Sequence, residues 1–473
     1  MVNVREWVDA MFQQFTAKCP FAVMTQIAIR GLVGPELKAI FENCRSRQYE
    51  KVVGFTDVAM AVADVALNFA ENFNQTYKTH RHKLRVSLAS FYNKLNATET
   101  AISEGLVRMS AQRAELVQHA LGFQPRVILS GYRVLCVDGN HGQETEKRLK
   151  VLRDQIDAPL PFIAVAVFDP QRALFQKIYA LEDAHAQECS VISRLVADLQ
   201  PRDVLLGDRH FCVLELLREI DRVGANFVIR QHGRFKGVLV GERKQIVTTA
   251  RGIIYEQEIR TTNKPDAHVM RRITIALNKP TKANEMEVHF LSNLPAEIGA
   301  ETIAELYLVR WEEEVGFYHL TTTLTCEVPS ISQPRAALFL FSMATLAYNV
   351  RQVLYAAQAA EHPAEKVAEV SQFQISVEIS RYTDGLLVAI PEPEWQRLVP
   401  RDPAALATLL REVARTIDLS QYRIAKRGPK KPKVKPHVNR RKTHVSTYQL
   451  MAKAKQAKAE QRATLKRETT KLE

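Results

Sequence analysis

From Arg126 onward the hydrophobic pattern changes period, and that change limits what the chain can fold into. RVILSGYRVLCVD, LPFIAVAVFD, FQKIYALED, VLLGD and NFVIRQH are short apolar runs of strand length, which suits strands buried on both faces. Between them, HAQECSVISRLVADL reads as an amphipathic helix and CVLELLREIDRVG as a helix with a Gly stop. Strands alternating with helices in this way predict an α/β layer fold.

Two of the runs end alike. Asp138 closes VLCVD and Asp208 closes VLLGD. In open α/β sheets, ligands gather outside the carboxyl ends of the strands. Two carboxylates brought together there can bind a hard divalent cation through oxygen. Each aspartate alone is more often a turn residue than a ligand.

A third carboxylate has to come from elsewhere, and the helical pattern around 301–324 offers Glu312, Glu313 and Glu314. At 100° per residue, Leu306, Val309, Phe317, Leu320 and Leu324 form one apolar face, and Tyr307, Arg310, Glu314 and Thr321 form a polar stripe beside it. Glu312 points toward solvent. Glu313 falls among the apolar residues, where an unpaired charge is costly. Glu314 alone sits at the border of the core, the position expected of a buried but accessible ligand. The competing reading of Tyr307, Arg310 and Glu314 is a hydrogen-bonded ladder on a helix surface.

Tyr307-x2-Arg310-x3-Glu314, with Trp311 after the arginine, resembles the signature helix of bacterial insertion-sequence DDE transposases of the insertion sequence 4 family. Asp138-Gly-Asn-His with Thr145-Glu146-Lys147-Arg148 downstream resembles the first-aspartate motif of that family, and Gly207-Asp208-Arg209-His210-Phe211-Cys212 followed by FVIRQHG resembles the second. The resemblance covers 126–355 well and the remainder loosely. It implies a ribonuclease-H-like catalytic core interrupted by a β-rich insertion between Asp208 and Glu314. It further implies that Asp138, Asp208 and Glu314 are the catalytic residues and hold two Mg²⁺ ions, with Mn²⁺ as a substitute. Two such ions activate a water or a 3′-hydroxyl and stabilise the leaving oxygen in an in-line phosphoryl displacement. By the same resemblance Tyr307 and Arg310 contact phosphates of the transposon end, and Arg209, Trp311 and Thr321 belong to the DNA-binding surface; for Trp311 a place in the core is an equally good reading. Two departures stand out: the family carries a Lys seven residues after the Glu, where this chain has Thr321, and an apolar residue before it, where this chain has Glu313.

The organisation expected along the chain is a helical, DNA-binding N-terminal domain (1–125), a first part of the ribonuclease-H-like core (126–232), a β-rich insertion (233–298), the second part of the core (299–365), a C-terminal domain (366–425) and a disordered basic tail (426–473). Lys78 and Arg81 belong to the run KTHRHKLR, which reads either as a DNA-phosphate contact or as a solvated helix end. Net charge is +13 over 473 residues, and residues 423–473 alone hold 17 Lys/Arg against 3 Glu, so the body is near neutral. A basic tail on a neutral body points to a polyanion, with nucleic acid first, or serves only to solubilise. RGPKKPKVKPHV cannot pack a core, while AKAKQAKAEQRATLKRE has the composition of a basic helix formed on binding.

The six cysteines form no CxxC pair, which argues against a zinc site or a disulfide framework. The start MVNVREWVDAMF carries acids and no long apolar run, and Ala336–Ala357 is broken by Ser342, Thr345, Asn349 and Arg351, so neither a signal peptide nor a membrane span is expected. The resulting expectation is a bacterial cytoplasmic, nucleoid-associated cut-and-paste transposase. It would act on double-stranded DNA (inverted-repeat ends and target) as a synaptic homodimer, through a hairpin intermediate. A ribonuclease-H-like nuclease without strand transfer, and a non-enzymatic nucleic-acid binder, are the alternatives.

Overall fold

The aspartate-ending runs become neighbouring strands of one sheet. In the structure, a computed structural model, residues 4–34, 36–48, 50, 52–143, 149–152, 158–281, 283–424, 428 and 444–469 are described. In chain order the strands are β1 (Arg133–His141), β2 (Ala158–Leu160), β3 (Ile163–Asp169), β4 (Leu174–Leu181), β5 (Asp203–Gly207), β6 (Asn226–Arg230), β7 (Val238–Thr249), β8 (Gly252–Arg260), β9 (Val269–Leu277), β10 (Glu287–Ser292) and β11 (His444–Ser446). Nine of them form a mixed sheet ordered β4-β3-β1-β5-β6-β10-β9-β8-β7. β4, β3 and β1 run antiparallel to one another, β1, β5 and β6 run parallel, and β10 to β7 continue antiparallel. The architecture is mixed α/β, as the alternation predicts.

Both faces of the central strands are buried. Val134 and Cys136 of β1, Ala164, Ala166 and Phe168 of β3, and Val204 and Leu206 of β5 enter one core. Leu135 and Val137, Ile163, Val165 and Val167, and Leu205 enter another. This is the period of two expected of a pleated strand. The first core also takes in the N-terminal helices, from Val8 to Leu121, and C-terminal helices as far as Tyr422, so one apolar interior joins these regions to the sheet. The second holds helices Ile192–Ala197 and Leu214–Arg222 against the opposite face.

Helix Pro334–Glu361 runs through the first core. It is long and apolar enough to cross a membrane, but 89% of its most apolar window is buried inside the protein, the pattern of a core helix. The polar residues that interrupt its sequence are put to use. Asn349 accepts from Phe175 N at 3.0 Å, and its amide donates to Phe175 O and Ser110 Oγ at 2.9 Å each. One buried amide thus ties this helix to β4 and to helix Thr100–Ala120.

The β-rich stretch extends the central sheet: β10 pairs with β6 and carries it on through β9, β8 and β7. Two expectations need adjusting. HAQECSVISRLVADL is not one helix but a 3-10 turn, Glu188–Val191, followed by the short helix Ile192–Ala197. The tail, expected to be disordered, forms β11, which pairs in parallel with β2, and helix Thr447–Thr469. Ala, Lys, Gln, Glu and Arg are strong helix formers without any partner. Ser446 also anchors the start: its hydroxyl accepts from Gln449 N at 3.3 Å and donates to Asp183 at 2.6 Å, while the Gln449 amide donates to Asp183 at 2.8 Å. Residues 425–427 and 429–443 lie outside the described residues.

Candidate active site

Asp138 has the parity of Val134 and Cys136, so it faces the helices that follow β10 rather than the opposite layer. Val137 is paired in register with Gly207 across the parallel β1–β5 ladder. Asp138 and Asp208 therefore follow at the same level on adjacent strands. Asp208 leaves the sheet to cap the 3-10 turn Arg209–Phe211, its Oδ1 accepting from His210 N at 2.7 Å.

The helical segment that supplies the glutamates is divided. Ala300–Val309 and Trp311–Thr322 meet at Arg310, where the bonds Arg310 N to Tyr307 O (3.3 Å) and Glu313 N to Arg310 O (3.1 Å) tighten the chain to three-residue spacing. The Arg310 side chain is 8% exposed and turns inward. Its Nη1 donates to Asp138 Oδ2 at 3.0 Å and its Nη2 to Glu314 Oε1 at 2.6 Å. A buried guanidinium thus links Asp138, which lies within β1 and not at its end as the sequence pattern suggested, to the glutamate one helical turn on. Glu314, at 40%, stays accessible. Glu312 pairs with Arg126 at 2.7 Å. Glu313 is wholly buried, and the backbone amide of Asp138 faces its carboxylate.

The electrostatics follow from this crowding. Burial pushes the Asp138 carboxyl up to about 6; Arg310 and the Gly139 amide pull it down, and Asp208 and Glu314 push it further up. Burial pushes Glu313 well above the ordinary carboxylate range, with the Asp138 charge adding to the effect. A fourth acid, not identified from the sequence, joins them. Glu188, on the turn after β4, is pushed up to about 7 by burial and then by Asp208 and Asp138. Glu188, Asp208 and His210 offer ligand atoms that all lie within 4.8 Å of one another. The residues next to Glu188 read as a helix face, and nothing local in them marks a site.

The remaining candidates divide into two groups. Tyr307 and Arg310 are buried: the Tyr307 ring lies 4.4 Å from that of Phe290, and the Arg310 guanidinium lies 5.7 Å from the Tyr307 ring and 5.6 Å from that of Trp311. Trp311, Arg209 and Thr321 are exposed. Lys78 and Arg81 are exposed on helix Phe73–Leu84, which packs on helices Phe55–Ala66 and Leu88–Asn96, not on the sheet. Thr145–Arg148 lie outside the described residues.

The residues present suit a divalent cation. The donors are carboxylate oxygens, the type hard cations require. Glu188 Oε2 is buried without a hydrogen-bond partner, and Arg310 already occupies a cation's place between Asp138 and Glu314. The carboxylates gathered beside a buried arginine form a cluster whose donor type suits a divalent cation. Residues 162–350 match the family described as transposase DDE domain. The match supports a DDE transposase, of the nuclease and transferase class of enzymes. Asp208 and Glu314 lie inside the matched range and Asp138 lies 24 residues before it. No curated protein matches the chain.

Proposed function

We propose that the chain is an insertion-sequence transposase that cuts and joins DNA at Asp138, Asp208 and Glu314. The observation that carries this reading is that Asp138, within β1, and Asp208, just after β5, stand level where the parallel β1–β5 ladder stops, with Glu314 joined to Asp138 through Arg310. The order β4-β3-β1-β5-β6, antiparallel then parallel, supports the ribonuclease-H-like reading of the core. Two bound Mg²⁺ ions would be held by these carboxylates, supplying charge stabilisation for in-line phosphoryl transfer.

The chain's own residues divide the remaining work. Arg310, now engaged by two carboxylates, is a buried guanidinium at the site, and its planar fork suits phosphate oxygens. To reach one it must release Asp138 and Glu314. Arg209, next to Asp208, and Trp311, next to Arg310, are exposed. The family resemblance adds double-stranded element ends and target DNA as partners, a hairpin intermediate, and a synaptic homodimer.

The test is cleavage of DNA carrying the sequences that flank the coding region, in Mg²⁺. Asp208→Asn is expected to abolish cleavage while leaving binding to the ends intact. Undiminished cleavage by that variant would overturn the site. Joining of pre-cleaved ends to target DNA separates a transposase from a hydrolytic nuclease.

A further inference from the structure

Arg310 neutralises only one side of the acidic group. Among the described residues, no Lys or Arg forms an ion pair with Asp208 or Glu188 on the other side. His210 is the one basic neighbour: its Nδ1 is 3.3 Å from Asp208 Oδ2 and 3.7 Å from Glu188 Oε2, and its side chain is 59% exposed. At 3.7 Å it makes no hydrogen bond to Glu188, so it does not satisfy that oxygen. The Glu188 side chain is 13% exposed, and its orphaned Oε2 is the oxygen turned toward His210 and Asp208.

The place for Glu188 is built into β1. Gly139 follows Asp138 and therefore faces the opposite side of the sheet. A β-carbon at Gly139 would collide with the Glu188 carboxylate. The Asp-Gly pair thus presents one carboxylate to the helix side and leaves room for another to enter from behind. Asp138 and Glu314 thus share one buried guanidinium, while Asp208 and Glu188 have no Lys or Arg partner among the described residues, and an uncompensated buried charge is costly unless a cation joins it.

We infer that Glu188 is a fourth carboxylate of the metal centre, and that the first divalent cation enters between Glu188 and Asp208, on the side Arg310 leaves uncovered. The inference rests on the metal-dependent reading proposed above. It assigns an order: the Glu188–Asp208 side fills while Arg310 still holds Asp138 and Glu314, and the Asp138–Glu314 side fills only after Arg310 moves.

The test is Mn²⁺ binding to the full chain without DNA, measured by titration calorimetry, with thermal melts in EDTA as the check on folding. Glu188→Gln is expected to weaken the tightest Mn²⁺ site by at least about tenfold, the loss that even outer-shell changes at metal sites reach. Gly139→Ala, which displaces the carboxylate without removing it, is expected to weaken the same site, and it decides the matter if Glu188→Gln fails to fold. Wild-type affinity in the folded Glu188→Gln or Gly139→Ala variant, with affinity lost in Asp208→Asn, overturns the role of Glu188 and leaves the transposase reading standing. Absence of Mn²⁺ binding in the wild type, together with undiminished cleavage by Asp208→Asn, overturns both.

Discussion

Arg310 Nη1 stands 3.0 Å from Asp138 Oδ2, joining two residues 172 positions apart at the point where the helical segment divides. Both partners are largely buried, so removing the arginine leaves an uncompensated carboxylate. Arg310→Ala is expected to cost on the order of 3 kcal/mol of stability in EDTA. Mg²⁺ should restore much of that loss, because the ion takes over the guanidinium's charge. Urea denaturation in EDTA and in Mg²⁺ measures both. An equal loss under the two conditions would show that Arg310 is a packing residue and not a stand-in for a cation.

The site was legible where it depended on local geometry and hidden where it depended on distant pairing. Asp138 and Asp208 are marked by the apolar runs they terminate, and these runs became neighbours, β1 and β5. The 100° rule placed Glu313 inside and Glu314 at the border, and both hold in the structure. It holds across the division because Arg310 keeps right-handed helical angles, φ −54° and ψ −32°. The rule placed Tyr307 and Arg310 on a polar stripe, whereas both are buried; ring packing on Phe290 and the pull of Asp138 draw them in. Glu188 left no mark, because its role arises from the missing side chain of Gly139, 49 positions away. The pairing of β10 with β6 is equally non-local.

Glu313 offers a second test of missing charge. A wholly buried carboxyl carries a desolvation cost that one backbone amide offsets only in part. Glu313→Met, which keeps the length and removes the polar atoms, is expected to raise stability in EDTA by about 1–3 kcal/mol. The gain should shrink in Mg²⁺, where the ion's field favours the carboxylate. A variant less stable than the wild type in EDTA would refute the view that Glu313 is uncompensated.

Asp169 gives a pH dependence away from the carboxylate cluster. Burial pushes its carboxyl up to about 6, although its Oδ1 accepts from Gln171 N at 2.8 Å and Arg172 N at 3.2 Å. The folded value lies above the unfolded 3.8, so between these two pH values the native state binds the extra proton. Stability is then lost as pH rises from about 4 through about 6. Asp169→Asn keeps the accepting oxygen and never ionises. It should match the wild type near pH 4 and exceed it above pH 7 by roughly 2 kcal/mol. Chemical denaturation at the two pH values checks this, and an Asn variant that is weaker at neutral pH would show that the carboxylate charge is needed there.

Thr321 stands two helical turns beyond Glu314, on the same face of helix Trp311–Thr322, and is exposed. Its hydroxyl bonds back to Tyr318 O at 3.0 Å, so it presents no charge and no free donor outward. If this face meets the DNA backbone, as the transposase reading requires, Thr321→Lys supplies one phosphate contact that the chain lacks. Each added contact steepens the fall of log K with log salt by about 0.9, so the variant should bind end DNA more tightly at low salt and lose that advantage as salt rises. Mn²⁺ binding should not change, because Thr321 bonds to helix carbonyls and not to the acidic group. A slope equal to that of the wild type would place the DNA on another face, and the exposed cations of Lys78 and Arg81, or of helix Thr447–Thr469, would be the next positions to neutralise.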